Sequence, residues 1–357
     1  MKIKLVNRII KSAFPNNRHN RIIIVVDEGT RSYLNIKFLS VLIKAHWSFG
    51  FKLLEKNSYR RNGFLAASLV ICIWSAWLVI SRVGAQSSLT IFDLTFLRYG
   101  VSALITIPLV IYFKPWKTLS LIRMVTVSFL LGPIYIFCVF GGFFYAPVVH
   151  GGIFLNGSLP VLTLLIGIVF FSQRASISQG CGIVLIFLSS FFSLQDISET
   201  VTVMTWKGDI LFVCSAVFFS GYLIVARQWS LSMMEVIFCS SILNCLFYAP
   251  IWFFFLPKGS FEVFTTEFLL QMFYQGIMPN VVGLLLVAYA AKNIGPAVTA
   301  AFLAGVPPLS AILAYLFLNE SLGLLGFVSV VLIVPGIILV AVDKALEPID
   351  TLSLPPS

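Results

Sequence analysis

Ten times after residue 62 the chain runs through about 20 apolar residues before it meets a short polar joint. Wound as a helix, such a run spans roughly 30 Å, the thickness of a bilayer's hydrocarbon. The runs fall at about 63–82, 92–113, 122–144, 147–171, 178–194, 208–226, 234–256, 267–291, 294–318 and 322–342. With 59% of its residues hydrophobic and 11% charged, the chain has too little polar surface to coat a water-soluble domain of this size. The sequence therefore predicts an all-α integral membrane protein with ten transmembrane helices, whose solvent is the lipid bilayer.

The net charge of +10 resides in one place. Residues 1–62 hold 13 Lys/Arg and 3 Asp/Glu, and the rest of the chain holds 11 of each. A basic segment just before the first span fits a cytoplasmic N-terminal extension facing anionic headgroups. It carries no nucleic-acid motif, so nucleic acid is excluded as a partner. With the N-terminus inside, the inner joints and the C-terminal tail, 343–357, hold Lys114, Lys117, Arg123, Arg174, Arg227, Lys292 and Lys344, against Arg82, Lys207 and Lys258 outside. That excess places both termini in the cytoplasm. The six cysteines all lie inside apolar runs, match no disulfide framework or zinc spacing, and read as small core residues.

The chain also repeats itself. A shift of 145 residues lays Ser75 on Ser220, Leu78 on Leu223 and Arg82 on Arg227; a shift of 142 pairs Asp93 with Glu235 and Pro108 with Pro250. Pro133 answers Pro279, Pro147 answers Pro296 and Pro160 answers Pro308. Two repeats follow, 63–194 and 208–342, of five spans each. Five is odd, so the second copy enters the membrane from the opposite side, the inverted repeat of many secondary transporters.

Proline removes a helical hydrogen-bond donor and crowds the carbonyl four residues back. Pro160 in the fourth run, and Pro307 and Pro308 in the ninth, fall near mid-membrane and free the carbonyls of Asn156, Leu303 and Ala304, which must then face protein, water or a ligand. Gly157 and Gly305 beside them permit close helix approach. These five residues, Pro160, Pro307, Pro308, Gly157 and Gly305, are the candidate helix-break or gating positions. An ordinary proline kink is the plainer alternative.

Polar and aromatic residues inside the runs supply the candidate substrate contacts: Trp74, Trp77, Arg98, Tyr135, His150, Asn156, Phe219, Tyr222, Gln275 and Asn280. A pocket with aromatic walls and a few amides suits a small amphipathic solute. Each aromatic can equally serve packing, and each amide a contact between helices. Arg98 is the one strong charge well inside a run; it could hold an anionic group, snorkel outward or pair with a carboxylate. Asp93 and Glu235 open the second and seventh spans, where the helix dipole accounts for them. Glu320 closes the ninth and is placed to cap the helix that follows.

No Walker A loop, HExxH, metal-spaced carboxylates or flanked nucleophile occurs in the sequence, which argues against an enzyme and against a metal or cofactor.

The stretches "IWSAWLVISR" and "FDLTFLRYG", with the closing run "AFLAGVPPLSAILAYLFLNESLGLLGFVSVVLIVPGIILV", resemble the EamA family of the drug/metabolite transporter superfamily. The resemblance covers roughly 63–342. It departs at the end of the fourth run, where the family's glutamate is replaced by Ser172 or Gln173 of "FFSQRAS". It implies a carrier in a bacterial inner membrane that moves a small-molecule substrate, such as an amino acid or related compound, usually outward, by alternating access. The expected site lies near Pro160 and Pro308, with walls from the first, third, fourth, sixth, eighth and ninth spans. A homodimer is left open. Two rival classes remain: a membrane assembly or sensory protein that works through its N-terminal extension, and a membrane-embedded enzyme acting on lipids.

Overall fold

The computed structural model describes residues 59–171, 175–196, 202, 204–259 and 265–343. The basic extension up to residue 58, the Ser172/Gln173 substitution and the C-terminal tail lie outside the described residues. Ten helices are long and apolar enough to cross a membrane: α1 Tyr59–Ala85, α2 Ile91–Phe113, α3 Leu121–Tyr145, α4 Val148–Phe170, α5 Ile177–Leu194, α6 Thr205–Gln228, α7 Met233–Phe255, α8 Thr266–Ile294, α9 Val298–Leu318 and α10 Leu324–Ala341. They form two inverted repeats of five. The expected ends hold within a few residues. α1 begins earlier, at Tyr59, and there Arg60 lies over the ring of Phe64.

Local chemistry starts the helices. Thr90 and Asp93 cap α2 reciprocally, and Ser232 and Glu235 do the same for α7. Each carboxylate then reaches into the other repeat. Asp93 accepts from Trp252 Nε1 and the Gly259 amide at 2.9 and 2.8 Å, while Glu235 accepts from Thr118 Oγ1 at 2.6 Å. Their place in the fold is thus more than a dipole effect, since each ties its helix start to a loop of the opposite repeat.

Helices that are repeat mates pack on one another: α2 on α7, α4 on α9 and α5 on α10. The last pair approaches closely because Gly182 and Gly336 face each other. A Cβ on Gly182 would sit 2.8 Å from the Gly336 carbonyl oxygen, and one on Gly336 3.1 Å from that of Gly182. Small residues at such a contact are how helices associate in lipid, where burial from water contributes little. Ser189 adds a hydrogen bond from its hydroxyl to the Ser329 carbonyl, at 2.8 Å.

Four helices are interrupted as two repeat-related pairs, and α7 carries a further π-helical segment, Phe238–Leu243. α3 breaks between Leu130 and Pro133, and α8 passes from Gly276 into a π-helical segment, Met278–Gly283, at Pro279. α9 comprises Pro296–Leu303 and Val306–Leu318 with a tight turn at Ala304 and Gly305, whereas α4 stays continuous but is wound as a π-helix over Gly151–Gly157, just before Pro160. The mates thus solve the same problem differently: the double proline severs α9, while the single proline is absorbed by a wider turn.

The cysteines differ from expectation. Cys239 is buried, Cys138 and Cys245 are half-buried, and Cys72, Cys181 and Cys214 are exposed on the bundle's outer faces. A thiol is apolar enough for a lipid-facing position, so residing in an apolar run does not imply residing in the core.

Candidate functional site

In each of the four interrupted helices one carbonyl accepts from a side chain of the opposite repeat. Leu131 O also accepts from Tyr99 Oη at 2.9 Å and Leu159 O from Thr163 Oγ1 at 2.6 Å, both of the same repeat. Asn244 Nδ2 on α7 donates to Leu131 O of α3 at 3.2 Å, and Ser102 Oγ on α2, the repeat mate of Asn244, donates to Gly276 O of α8. Ser220 Oγ on α6 donates to Leu159 O of α4 at 3.3 Å, and its mate Ser75 on α1 donates to Val306 O of α9 at 3.1 Å. The side-chain donors therefore go to Val306 and Leu159 rather than to Leu303, Ala304 and Asn156. Gly152 rather than Gly157 supports this crossing, since a Cβ there would lie 3.2 Å from Pro307 Cα, whereas Gly157 packs on Ile333 of α10 and Gly305 on Ile71 of α1.

Between the interruptions lies a cavity of about 750 Å³, the space at its opening included. α1 contributes Trp74 and Trp77, α2 Arg98 and Tyr99, and α3 Leu131 and Tyr135; α4 adds Leu155, Asn156 and Leu159. The far wall comes from Phe219 and Tyr222 of α6, Ser240 of α7, and Pro279, Asn280 and Leu284 of α8. The three π-helical segments of the described chain supply Asn156, Ser240 and Asn280, consistent with the frequent placement of π-turns at functional sites. A second cavity shares Trp74, Asn156 and Leu159 and continues past Pro160 to Leu303 and Val306 of α9 and to Val340 of α10. The walls thus come from α1, α2, α3, α4, α6, α7 and α8; α9 borders only the second space.

Eight of the ten residues singled out as contacts line the first cavity: Trp74, Trp77, Arg98, Tyr135, Asn156, Phe219, Tyr222 and Asn280. The other two stand behind it. Gln275 Oε1 accepts from Trp77 Nε1 at 2.8 Å, and its amide nitrogen donates to Ser81 Oγ and Gln271 Oε1. His150 Nδ1 lies 2.7 Å from Asp209 Oδ1, joining α4 to α6 with both residues buried. Asp209 was not singled out in the sequence; its position 59 residues from His150 and near a helix start gave no signal. Pro160 borders the second cavity, and Pro307 and Pro308 begin the second piece of α9.

Arg98 is 7% exposed, with its guanidinium 5.3 Å from the Trp77 ring. Its Nη1 has no hydrogen-bond partner among the described residues, and no carboxylate there pairs with it. Arg82 is the opposite case. Its Nε donates to Glu320 Oε1 at 3.0 Å, its Nη1 donates to the Phe143 carbonyl, and Glu320 Oε2 accepts from the Val148 amide at 2.8 Å. Glu320 therefore caps α4 rather than the helix that follows it, and the pair joins α1, α3, α4 and the end of α9. These contacts join the elements at the end of the bundle bearing the 86–90 loop. At the other end Arg227, the mate of Arg82, is exposed and forms no ion pair among the described residues.

Ten membrane-crossing helices in two inverted repeats around a central cavity define a membrane transporter of the drug/metabolite type, one that sits in a bilayer and takes a small-molecule substrate. The model of the EamA-like transporter family matches residues 61–195 and 206–342, one match for each repeat, and the chain belongs to that family. A solved crystal structure of a protein 20% identical in sequence has the same fold, with a TM-score of 0.55 over 81% of this chain and 98% of the other. No curated protein matches the chain in sequence.

Proposed function

We propose that the protein is a secondary transporter of a bacterial inner membrane that exports or exchanges a small metabolite by alternating access through the central cavity. The observation that carries this reading is the crosswise pairing of the four interrupted helices around that cavity. In each of these four helices a carbonyl accepts from a side chain of the inverted copy, so rearranging one repeat bears on the other, and a site between them can open to either side in turn.

The same reading orients the chain. Lys114, Lys117, Arg123, Arg227 and Lys292 lie at one end, against Lys207 and Lys258 at the other, where Arg82 is neutralised by Glu320. The richer end is the cytoplasmic one. On this reading the Arg82–Glu320 ion pair serves as the outer gate. Residues 1–62 are a cytoplasmic extension on this reading, against anionic headgroups.

The test is counterflow in proteoliposomes: vesicles loaded with a panel of metabolites should accumulate labelled solute saturably, and Tyr135→Ala with Phe219→Ala should abolish it. Flux that no panel member saturates, or that survives loss of both rings, overturns the reading.

A further inference from the structure

We propose that the cavity selects an organic anion, with Arg98 as the residue that reads its charge; this rests on the transport reading above and specifies its substrate class. A guanidinium buried within a membrane protein is stable only when paired or hydrogen-bonded. Arg98 lines the cavity, is more than nine-tenths buried, and leaves Nη1 without an acceptor among the described residues.

Among the described residues nothing of opposite charge is at hand to satisfy it. Glu320 is taken by Arg82, Asp209 by His150, and Asp93 by Trp252 and the amides of Thr90 and Gly259. Among the described residues no carboxylate lines the cavity. The remaining polar groups at the wall are neutral, among them the hydroxyls of Tyr135 and Tyr222 and the amide of Asn156.

The ring of Trp77 meets one side of the guanidinium and is itself held by Gln275. Aromatic contact attracts a cation but supplies no lone pair for its N–H groups. What completes Arg98 is an acceptor with two oxygens in a fork, such as a carboxylate. The rings of Trp74, Tyr135 and Phe219 then receive a flat apolar body. An ammonium group finds no counter-charge there, so a simple anion is favoured over a zwitterion or a cation.

The experiment uses the full chain purified in detergent and a series with one body and four charge states: phenylacetate, phenylacetamide, phenethylamine and phenylalanine. Thermal stability and tryptophan fluorescence report binding. Phenylacetate alone should raise the melting temperature and shift the fluorescence. Arg98→Gln should weaken that response by about tenfold or more, and Arg98→Lys should retain part of it, keeping the charge but losing the fork.

A second readout separates binding from structure. Without ligand, Arg98→Gln should melt higher than the native chain, because a buried charge without a partner has been removed. A structural arginine would lower it. An acid that binds no better than its amide, or a native acid response in Arg98→Gln, overturns the assignment. If a neutral or cationic solute is carried saturably in proteoliposomes while the acid neither binds nor competes, the charge assignment falls and the transporter reading stands. If no solute of any charge is carried, both fall.

Discussion

Ser75 Oγ donates to the carbonyl of Val306 at 3.1 Å, joining α1 of the first repeat to the break in α9 of the second. Its counterpart 145 residues later, Ser220, donates at 3.3 Å to Leu159 in α4 of the first. In a bilayer an interrupted helix cannot leave its carbonyls to lipid, so a donor has to come from protein. In each of the four interrupted helices one such donor comes from the inverted copy, beside Tyr99 Oη on Leu131 O and Thr163 Oγ1 on Leu159 O from the same repeat, so each repeat helps support the other's interruptions.

Removing one such donor should be mild and removing two additive. Ser75→Ala and Ser220→Ala should each lower stability by about 0.5–1.5 kcal/mol, the usual net worth of a hydrogen bond. The two bonds share no partner, so their double variant should lose the sum. Reversible unfolding in mixed detergent micelles measures this; no loss in either variant would deny the bonds a supporting role.

The Arg82–Glu320 pair predicts a gate that fails when half of it is removed. Glu320→Gln leaves the Arg82 cation buried without its counter-charge and should cost about 3–5 kcal/mol at that end. Ser81 is fully buried beside it. In a background without the exposed native cysteines, Ser81→Cys should resist a membrane-impermeant thiol reagent and become reactive once Glu320→Gln is added. Replacing both gate residues with methionine should reverse much of the exposure, since two apolar side chains leave no stranded charge. Equal labelling in all three backgrounds would show that the pair does not close the bundle.

His150 and Asp209 were separated by role only once the fold was known. His150→Ala should destabilise the chain by about 1–3 kcal/mol, the cost of a buried acceptor left unmade. It should leave ligand affinity unchanged, because the imidazole lies outside the cavity lining. Asp209→Asn, which can still bond the ring, should be milder. A large affinity change in His150→Ala with native stability would return that residue to the binding site.

Much of the architecture was legible because lipid imposes it. Run length gives the spans, and two of the repeat-related proline pairs, Pro133 with Pro279 and Pro160 with Pro308, fall at or near the interruptions. Pro108 and Pro250, by contrast, lie within continuous helix. The aromatic and amide residues lining the cavity were legible for the same reason, since polar groups in apolar runs need partners. What pattern could not give was the pairing partner. Gln275 and Asn280 look alike in sequence, yet one turns to Trp77 behind the wall while the other stands in it and donates to Ser102 Oγ at 3.0 Å. The π-helical segments were equally hidden, because a widened turn shifts which face a residue shows without altering its hydrophobic period.

Gln275 offers the sharpest test of how the wall is held. Gln275→Leu strands the Trp77 N–H and should cost about 1–3 kcal/mol in stability. It also frees the indole that lies against Arg98, so affinity for an anionic ligand should fall as well. Gln275→Glu keeps an acceptor for Trp77 while adding a negative charge on the far side of the same indole. If Arg98 serves to bind an anion, that variant should keep the fold and still weaken anion binding, by attracting the guanidinium and repelling the ligand. Stability and affinity then move apart in one variant and together in the other, measured by unfolding and by ligand titration on the same samples. Parallel losses in both would mean that Trp77 packing alone governs the site, with the charge of Arg98 playing no part.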